Sequence, residues 1–190
     1  KVSKIDTKLY KSILSEKDLD KLIDILNTKP FISIDTETSS LNPLQAELIG
    51  ISFSYAPNEA YYIPLGHRNI KGLNKELVLK KIKPLLEDPS IKKIGQNIKY
   101  DFIILINNGI EIDPIEDTML LSYVLDAGNN RHNMDILSEL HLGHKTISYK
   151  DVVGTGKKQL NFSDVNLEEA TEYAAEDADV TLRLYNLLLE

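Results

Sequence analysis

Hydrophobic and polar positions follow one another along the chain in a way that predicts strands mainly in the first half and helices mainly in the second. Apolar stretches bounded by turn residues predict strands over residues 9–14, 31–34, 48–55, 60–63 and 91–95. The strands between residues 31 and 63 follow each other closely, which favours an antiparallel meander.

Apolar residues at spacings of three and four predict helices, most of which begin at a residue that can cap them. The capping residues are Ser15, Asn74, Asp117, Asn133 and Asn166, and the helices end at Lys29-Pro30, Asp88, Leu125, His141 and Leu189. A further helix over 98–108 is almost entirely apolar and is therefore expected to be buried. The polar stretch between residues 145 and 164 is expected to be a mobile surface loop. Together these elements predict one α/β domain over residues 1–190, built on a mixed sheet.

The composition excludes several classes of protein. With 42% hydrophobic and 27% charged residues, the chain is typical of a folded domain that needs no disulfide or structural metal. The absence of cysteine excludes a zinc ribbon, an iron–sulfur site and a thiol nucleophile, and it fits a cytoplasmic location. The longest apolar runs are far too short to cross a membrane, and we expect no signal peptide. The net charge of −7 argues against coating of nucleic acid but not against an enzyme that grips a few nucleotides.

Two acids end a predicted buried strand. Asp35 and Glu37 are two residues apart, so their side chains share one face of the strand, about 6.6 Å apart along it. Both can reach one cation. The alternative is an ordinary strand end that runs into solvent.

The last helix carries another acid beside its apolar stripe. Tyr173 and Asp177 lie one turn apart on the edge of the stripe, where an ionised carboxylate needs a cation or hydrogen-bond donors. A neighbouring backbone group could also satisfy Asp177. The opposite face of the helix is predicted to be solvated, and its charged residues are Glu169, Glu172, Glu176, Asp179 and Arg183.

A fourth acid, Asp101, opens the most apolar helix, where the helix dipole alone would favour it. No lysine or arginine is obviously placed to neutralise all four acids, and divalent cations with oxygen ligands are the simplest answer. The histidines at 141 and 144 have no further ligand near them in the sequence and are interpreted as surface residues.

Three segments, Asp35-Thr-Glu37, Asn97-Ile-Lys-Tyr-Asp101 and Tyr173-Ala-Ala-Glu-Asp177, resemble the three exonuclease motifs of the DEDD superfamily in its tyrosine branch. Flanking blocks such as Arg131-His-Asn-Met-Asp135 and Gly156-Lys-Lys-Gln-Leu160 resemble the 3′ to 5′ proofreading domains of bacterial family A DNA polymerases. The resemblance runs from about Phe31 to the end of the chain. Position 172, which would hold the key histidine of the other branch, is a glutamate.

The resemblance implies a ribonuclease-H-like fold, a mixed β-sheet flanked by α-helices, with two Mg²⁺ ions for which Mn²⁺ can substitute. It implies that Asp35, Glu37 and Asp177 hold one ion, that Asp35 and Asp101 hold the other, and that Tyr173 orients the attacking water. The residues that it places along the DNA strand are Thr38, Leu41, Gln96, Asn97, Arg131 and Phe162. For Leu41 and Phe162, core packing is the alternative.

The activity implied is hydrolysis of DNA from a single-stranded or frayed 3′ end, with release of nucleoside 5′-monophosphates, as proofreading for a polymerase domain that follows in the native chain. An RNA exonuclease of the ribonuclease D type has the same acids and tyrosine, but the blocks around Arg131 and Lys157 speak against it. A catalytically silent module would be expected to lack one of the acids, and none is missing.

Overall fold

A six-stranded mixed sheet forms the centre of the protein, in a computed structural model that describes residues 4–189. Its strands are β1 (Lys11–Ser12), β2 (Phe31–Thr38), β3 (Leu48–Ala56), β4 (Glu59–Pro64), β5 (Lys92–Gly95) and β6 (Ile115–Asp117). The order across the sheet is β1-β4-β3-β2-β5-β6. The pairs β2/β3 and β3/β4 are antiparallel, which confirms the meander, whereas β1/β4, β2/β5 and β5/β6 are parallel.

Within residues 4–189, seven α-helices pack around this sheet. They are α1 (Glu16–Leu26), α2 (Lys75–Leu86), α3 (Lys99–Asn107), α4 (Thr118–Leu125), α5 (Met134–Leu137), α6 (Tyr149–Val153) and α7 (Leu167–Leu188). The side chains of the predicted caps Ser15, Asn74, Asp117 and Asn166 accept backbone N–H groups at the starts of their helices. Asn133 makes no such bond, and the helix predicted over 134–141 is α5 followed by a π-helical turn, Ser138–Leu142.

The stretch from 145 to 164 is a surface segment only in part, since residues 154–160 are exposed but others dock on the core. It contains α6 and two short 3₁₀ turns, Gly156–Lys158 and Phe162–Asp164. Val152, Val153 and Phe162 are buried in a cluster with residues of α7. These few apolar residues dock the segment against the core despite its polar composition.

Helix α7 lies across the sheet and is covered on more than one side. It contacts β2, β3 and β4, and also α4, α5, α6 and the turn over 138–142. The predicted apolar stripe is buried, but the prediction of a solvated opposite face is wrong for Glu176, Asp179 and Arg183, which are buried too. Arg183 pairs with Asp179 at 2.9 Å, and Tyr10 donates to the same carboxylate at 2.8 Å. These partners allow the charges to be buried.

Two further expectations need correction. His144 is half-buried and its Nε2 lies 2.7 Å from Glu176 Oε1, whereas His141 is exposed as predicted. Helix α3 is buried only along one side, and Ile106 is 44% exposed. Among residues 4–189, no helix combines the length and the apolar character that a membrane crossing requires.

Candidate active site

Three carboxylates from two elements meet at the end of β2. Asp35 and Glu37 project from the same face of β2, which is held between β3 and β5. Asp177 reaches them from α7. Each of the three offers an oxygen atom, and these oxygens all lie within 4.8 Å of one another. The structure therefore brings together the acids that the sequence placed 140 residues apart.

A fourth acid is fixed beside this group by a residue of β2. Asp101, in the first turn of α3, is buried, and its Oδ1 accepts bonds from the backbone N–H of Thr36 at 2.9 Å and from the Thr36 hydroxyl at 2.5 Å. Thr36 lies between Asp35 and Glu37, so the strand that carries two of the acids also orients Asp101.

Burial and mutual repulsion raise the pKa values of these acids. Burial, followed by the charges of the neighbouring carboxylates, raises the pKa of Asp35 and of Glu37 well above the ordinary range. Burial and the charge of Glu176 do the same to the pKa of Asp177. Burial raises the pKa of Asp101 to about 7 against the opposing effect of the Thr36 hydrogen bonds. Ionising these four buried carboxyl groups together costs free energy unless a cation offsets their charge.

The donor set fits hard divalent cations. All four side chains offer only carboxylate oxygens, which are the ligands that Mg²⁺ prefers. Oε1 of Glu37 is buried and has no hydrogen-bond partner within the protein, as expected for an atom that binds a cation. Within the described chain, the ion pairs do not include any of the four acids.

A cleft of about 740 Å³ opens over the carboxylates. Tyr173 lines it one turn before Asp177 on α7, and the charge of Asp177 acts on its hydroxyl. Of the six residues expected along the DNA strand, four line the same cleft: Thr38, Leu41, Gln96 and Asn97. Leu41 is 94% exposed and its packing alternative is therefore wrong.

The other two expected residues lie elsewhere. Arg131 is exposed but does not line the cleft, and it precedes His132, whose carbonyl accepts from the Gln96 amide at 2.7 Å. Phe162 is fully buried, which corrects its placement along the strand and favours the packing alternative. Its ring lies 5.9 Å from that of Tyr173 and stacks on that of Tyr149 at 6.3 Å.

Sequence reasoning missed Tyr149, an exposed aromatic residue on the side of the cleft where Phe162 and Tyr173 pack. It is 40% exposed, lines the cleft, and makes an edge contact with Tyr173 at 6.0 Å between ring centres. The signal was present, because Ser148 caps α6 and Tyr149, Val152 and Val153 have helical spacing. The polar residues of the surrounding stretch obscured it.

A second missed residue, Tyr100, holds the loop that follows β2. Its hydroxyl contacts Thr38 Oγ1 and donates to the carbonyl of Ser40, both at 2.5 Å. Leu41 is the next residue, so Tyr100 fixes the exposed leucine at the mouth of the cleft.

The strand next to Glu37 requires a glycine. Gly50 pairs with Glu37 across the β2/β3 ladder, and a Cβ at Gly50 would lie 2.1 Å from the hydroxyl oxygen of Tyr62. The glycine therefore lets the buried Tyr62 ring pack beside Glu37, on the same face of the sheet. Tyr62 is in turn hydrogen-bonded to His67 Nε2 at 2.7 Å.

Comparisons with known proteins agree with this geometry. A family profile described as 3′–5′ exonuclease matches residues 10–190. DNA polymerase I of Rhizobium leguminosarum is 44% identical to this chain over an alignment 203 residues long. The alignment covers 96% of this chain and 20% of the relative. The chain thus spans about a fifth of the length of the curated relatives that it matches.

Solved nucleases have the same fold. Brucella melitensis NrnC with bound Mg²⁺ superposes with a TM-score of 0.64 at 27% identity, over 85% of this chain and 72% of that one. Escherichia coli RNase D superposes with a TM-score of 0.69 over 95% of this chain and 44% of that one, and at 22% identity it supports the fold alone. The expected ribonuclease-H-like α/β fold is confirmed.

Proposed function

The chain belongs to the family of 3′–5′ exonuclease domains of family A DNA polymerases, and from this premise we propose that it removes nucleoside 5′-monophosphates from DNA 3′ ends with two divalent cations. The observation that carries the proposal is the meeting of Asp35, Glu37 and Asp177 within 4.8 Å at the floor of a cleft. The structure of the NrnC relative contains Mg²⁺, which agrees with the oxygen donors of this site.

We assign one cation to Asp35, Glu37 and Asp177, and the second to Asp35 and Asp101. Two Mg²⁺ ions bound there would supply the positive charge that activates a water and stabilises the departing 3′ oxygen. Thr36 keeps Asp101 turned towards the site through its two hydrogen bonds. Oε1 of Glu37 has no hydrogen-bond donor within the protein, so no protein group competes with the cation for this atom.

Tyr173 orients the attacking water in this proposal. Burial, then the charge of Asp177, raises the pKa of its hydroxyl far above neutrality. The hydroxyl therefore keeps its proton and is a hydrogen-bonding group, not a general base. The packed rings of Phe162 and Tyr149 hold it in place.

The substrate in this proposal is a single-stranded or frayed 3′ end. Leu41 and Tyr149 present exposed apolar surface at the cleft, and such side chains stack against any base without reading its sequence. Thr38, Gln96 and Asn97 add polar groups along the same surface. Arg131 is exposed outside the cleft, and in this proposal it contacts the strand only beyond the cleft. A duplex end must unpair before it can enter, which favours mismatched ends and hence proofreading.

The domain acts within a longer polymerase chain in this proposal. The relatives are about five times as long as this chain. The chain matches only 20% of the DNA polymerase I of Borreliella burgdorferi, as it does of the Rhizobium leguminosarum protein. Helix α4 also buries the polar residues Thr118 and Ser122 while most of its apolar side chains face water. Leu120, Tyr123, Val124 and Leu125 are between 57% and 79% exposed. An outward-facing apolar surface of this kind is typical of an interface between domains.

A degradation assay tests the function. A 5′-labelled DNA primer with a 3′ mismatch, the matched duplex and a single-stranded RNA are incubated with the chain in Mg²⁺ or in EDTA. We expect the labelled mismatched primer to shorten one nucleotide at a time in Mg²⁺, the matched duplex to shorten more slowly, and no cleavage in EDTA. Faster cleavage of RNA than of DNA would favour a ribonuclease of the RNase D type, and equal rates on matched and mismatched ends would remove the proofreading role.

A further inference from the structure

Glu176, next to the metal-binding Asp177, is used for something other than metal binding. It is fully buried, does not line the cleft, and its carboxylate is not among the three that converge there. Both of its oxygens are occupied. Oε1 lies 2.7 Å from Nε2 of His144, and Oε2 accepts the backbone N–H of Ile147 at 2.6 Å.

The segment that Glu176 holds leads directly into one wall of the cleft. Ile147 is two residues before Tyr149, and Ser148 caps α6 by accepting the N–H of Asp151. The same segment is tied at a third point, where the buried Thr146 donates from Oγ1 to Asp135 at 2.7 Å.

The hydrogen bonds of Glu176 connect the segment 144–149 to α7, the helix that carries Tyr173 and Asp177. Glu176 lies between Tyr173 and Asp177 in the sequence of α7, so its backbone moves with theirs. Tyr149 touches Tyr173 ring to ring at 6.0 Å, and Lys150 beside it lines the same cleft. A carboxylate is suited to this connection because it accepts two hydrogen bonds at once, and its charge strengthens both.

We propose that Glu176 is a positioning residue that fixes the wall formed by Tyr149 and Lys150 at a set distance from the carboxylate cluster on Asp35, Glu37 and Asp177. This inference rests on the proposed function, since the wall is where the terminal nucleotide lies. Loss of the connection releases the wall and weakens substrate binding more than it slows the chemical step.

Fluorescence gives a readout that does not depend on activity. The chain contains no tryptophan, so Tyr149→Trp introduces a single indole into the wall. In that background, Glu176→Gln should shift the emission to the red and increase quenching by acrylamide. Glu168→Gln removes the same charge from the exposed side of the same helix and should change neither. An indole that reports the same environment in both variants would overturn the proposal.

Kinetics on a single-stranded oligonucleotide in Mg²⁺ give the second measurement. Because hydrogen bonds to charged groups are strong, Glu176→Gln should raise KM by about tenfold, with a smaller change in kcat. In a Tyr149→Ala background the same change should have less than about a twofold further effect, since coupled residues are not additive. An equal effect in both backgrounds would contradict the proposal.

Glu176 also adds negative charge near Asp177, so a second variant separates positioning from electrostatics. Thr146→Val breaks the neighbouring tie of the same segment without changing any charge near the cluster. We expect KM to rise several-fold while the Mg²⁺ concentration for half-maximal activity stays unchanged. A wild-type KM in this variant, together with a changed Mg²⁺ requirement in Glu176→Gln, would assign Glu176 to the metal site instead.

The two proposals fail in different ways. Binding of a fluorescein-labelled oligothymidylate is measured by anisotropy in Ca²⁺ buffer. If the unmodified chain binds but does not cleave DNA in Mg²⁺, the proposed hydrolysis fails, and weaker binding by Glu176→Gln and Thr146→Val still supports the connection. Cleavage by the unmodified chain with unchanged binding and KM in both variants would overturn only the role of Glu176.

Discussion

Replacing Asp177 by asparagine should stabilise the metal-free protein while abolishing its nuclease activity. The change keeps the size of the side chain and removes one charge from the cluster formed with Asp35 and Glu37. Activity is lost because an amide is a poor ligand for Mg²⁺ beside carboxylates. Stability rises because the remaining acids lose a repulsive neighbour.

The size of the effect follows from the separation of the oxygens. The cluster places them within 4.8 Å of one another, where two unit charges repel by about 3 kcal/mol at an effective dielectric constant of about 20. Keeping a proton on one acid at pH 7 instead costs about 4 kcal/mol relative to its ordinary pKa. We expect a net gain of about 1–3 kcal/mol, since the new amide remains incompletely hydrogen-bonded. For a chain of this length, the melting temperature rises by about 3–10 °C.

The gain should depend on pH in a defined direction. The pKa values of the cluster are raised in the folded chain, to about 7 for Asp101. Stability that depends on these protons is complete below the unfolded pKa of about 4 and is lost as the pH rises through the folded values. The advantage of Asp177→Asn over the unmodified chain should therefore grow between pH 5 and pH 8 in EDTA.

Thermal melts in EDTA at pH 5, 6.5 and 8, with matched urea titrations, measure this difference. Glu168→Gln is the control, because it removes a charge from the same helix at a site whose contact with Lys8 is exposed to water. Its stability should follow that of the unmodified chain at each pH. The reasoning is refuted if Asp177→Asn melts below the unmodified chain at pH 8, or if the difference between them does not change with pH.

Three further predictions concern the cations, the tyrosine and a buried lysine. Millimolar Mg²⁺ should raise the melting temperature of the unmodified chain but not of Asp177→Asn, because only the intact site binds the ion by mass action; equal shifts in both would locate the ion elsewhere. Tyr173→Phe should slow single-turnover hydrolysis by at least about tenfold, with DNA affinity in Ca²⁺ unchanged, and a normal rate would exclude a role for the hydroxyl. Lys93 is fully buried and donates to the carbonyls of Asp88, Ile91 and Asp113 at 2.8, 2.6 and 2.5 Å. Lys93→Met should therefore lower the free energy of unfolding in urea by about 2–4 kcal/mol, and a loss below about 1 kcal/mol would contradict this account.

Local signals in the sequence predicted the frame of the site well. Helix starts at Ser15, Asn74, Asp117 and Asn166 were correct because each cap bonds to a backbone N–H within the next three residues, so no distant contact is needed. The meander was correct because its strands are joined by short connections. Strand β6 was missed, since three residues with a half-buried pattern carry too little periodicity to be recognised.

The walls of the cleft were harder to predict than its acids. An acid beside apolar sequence is conspicuous, because its burial demands a partner, and this reasoning found Asp35, Glu37, Asp101 and Asp177. An aromatic residue makes no such demand, and Phe162 and Tyr149 differ only in how α6 and the turn over 162–164 dock on α7. That docking depends on contacts between distant parts of the chain, which no local spacing reveals.

Glu176 marks the same limit within a single helix. Neighbouring residues of a helix point about 100° apart, so Glu176 and Asp177 cannot both face the cleft, and periodicity alone assigns Glu176 to water. The assignment fails because a second layer, built from residues 134–149, covers that side of α7. His144 and Ile147 within that layer supply the hydrogen-bond donors that make burial of the carboxylate possible. A charged face on a central helix therefore indicates either solvent or a polar contact to another segment, and here it is the contact that positions one wall of the active site.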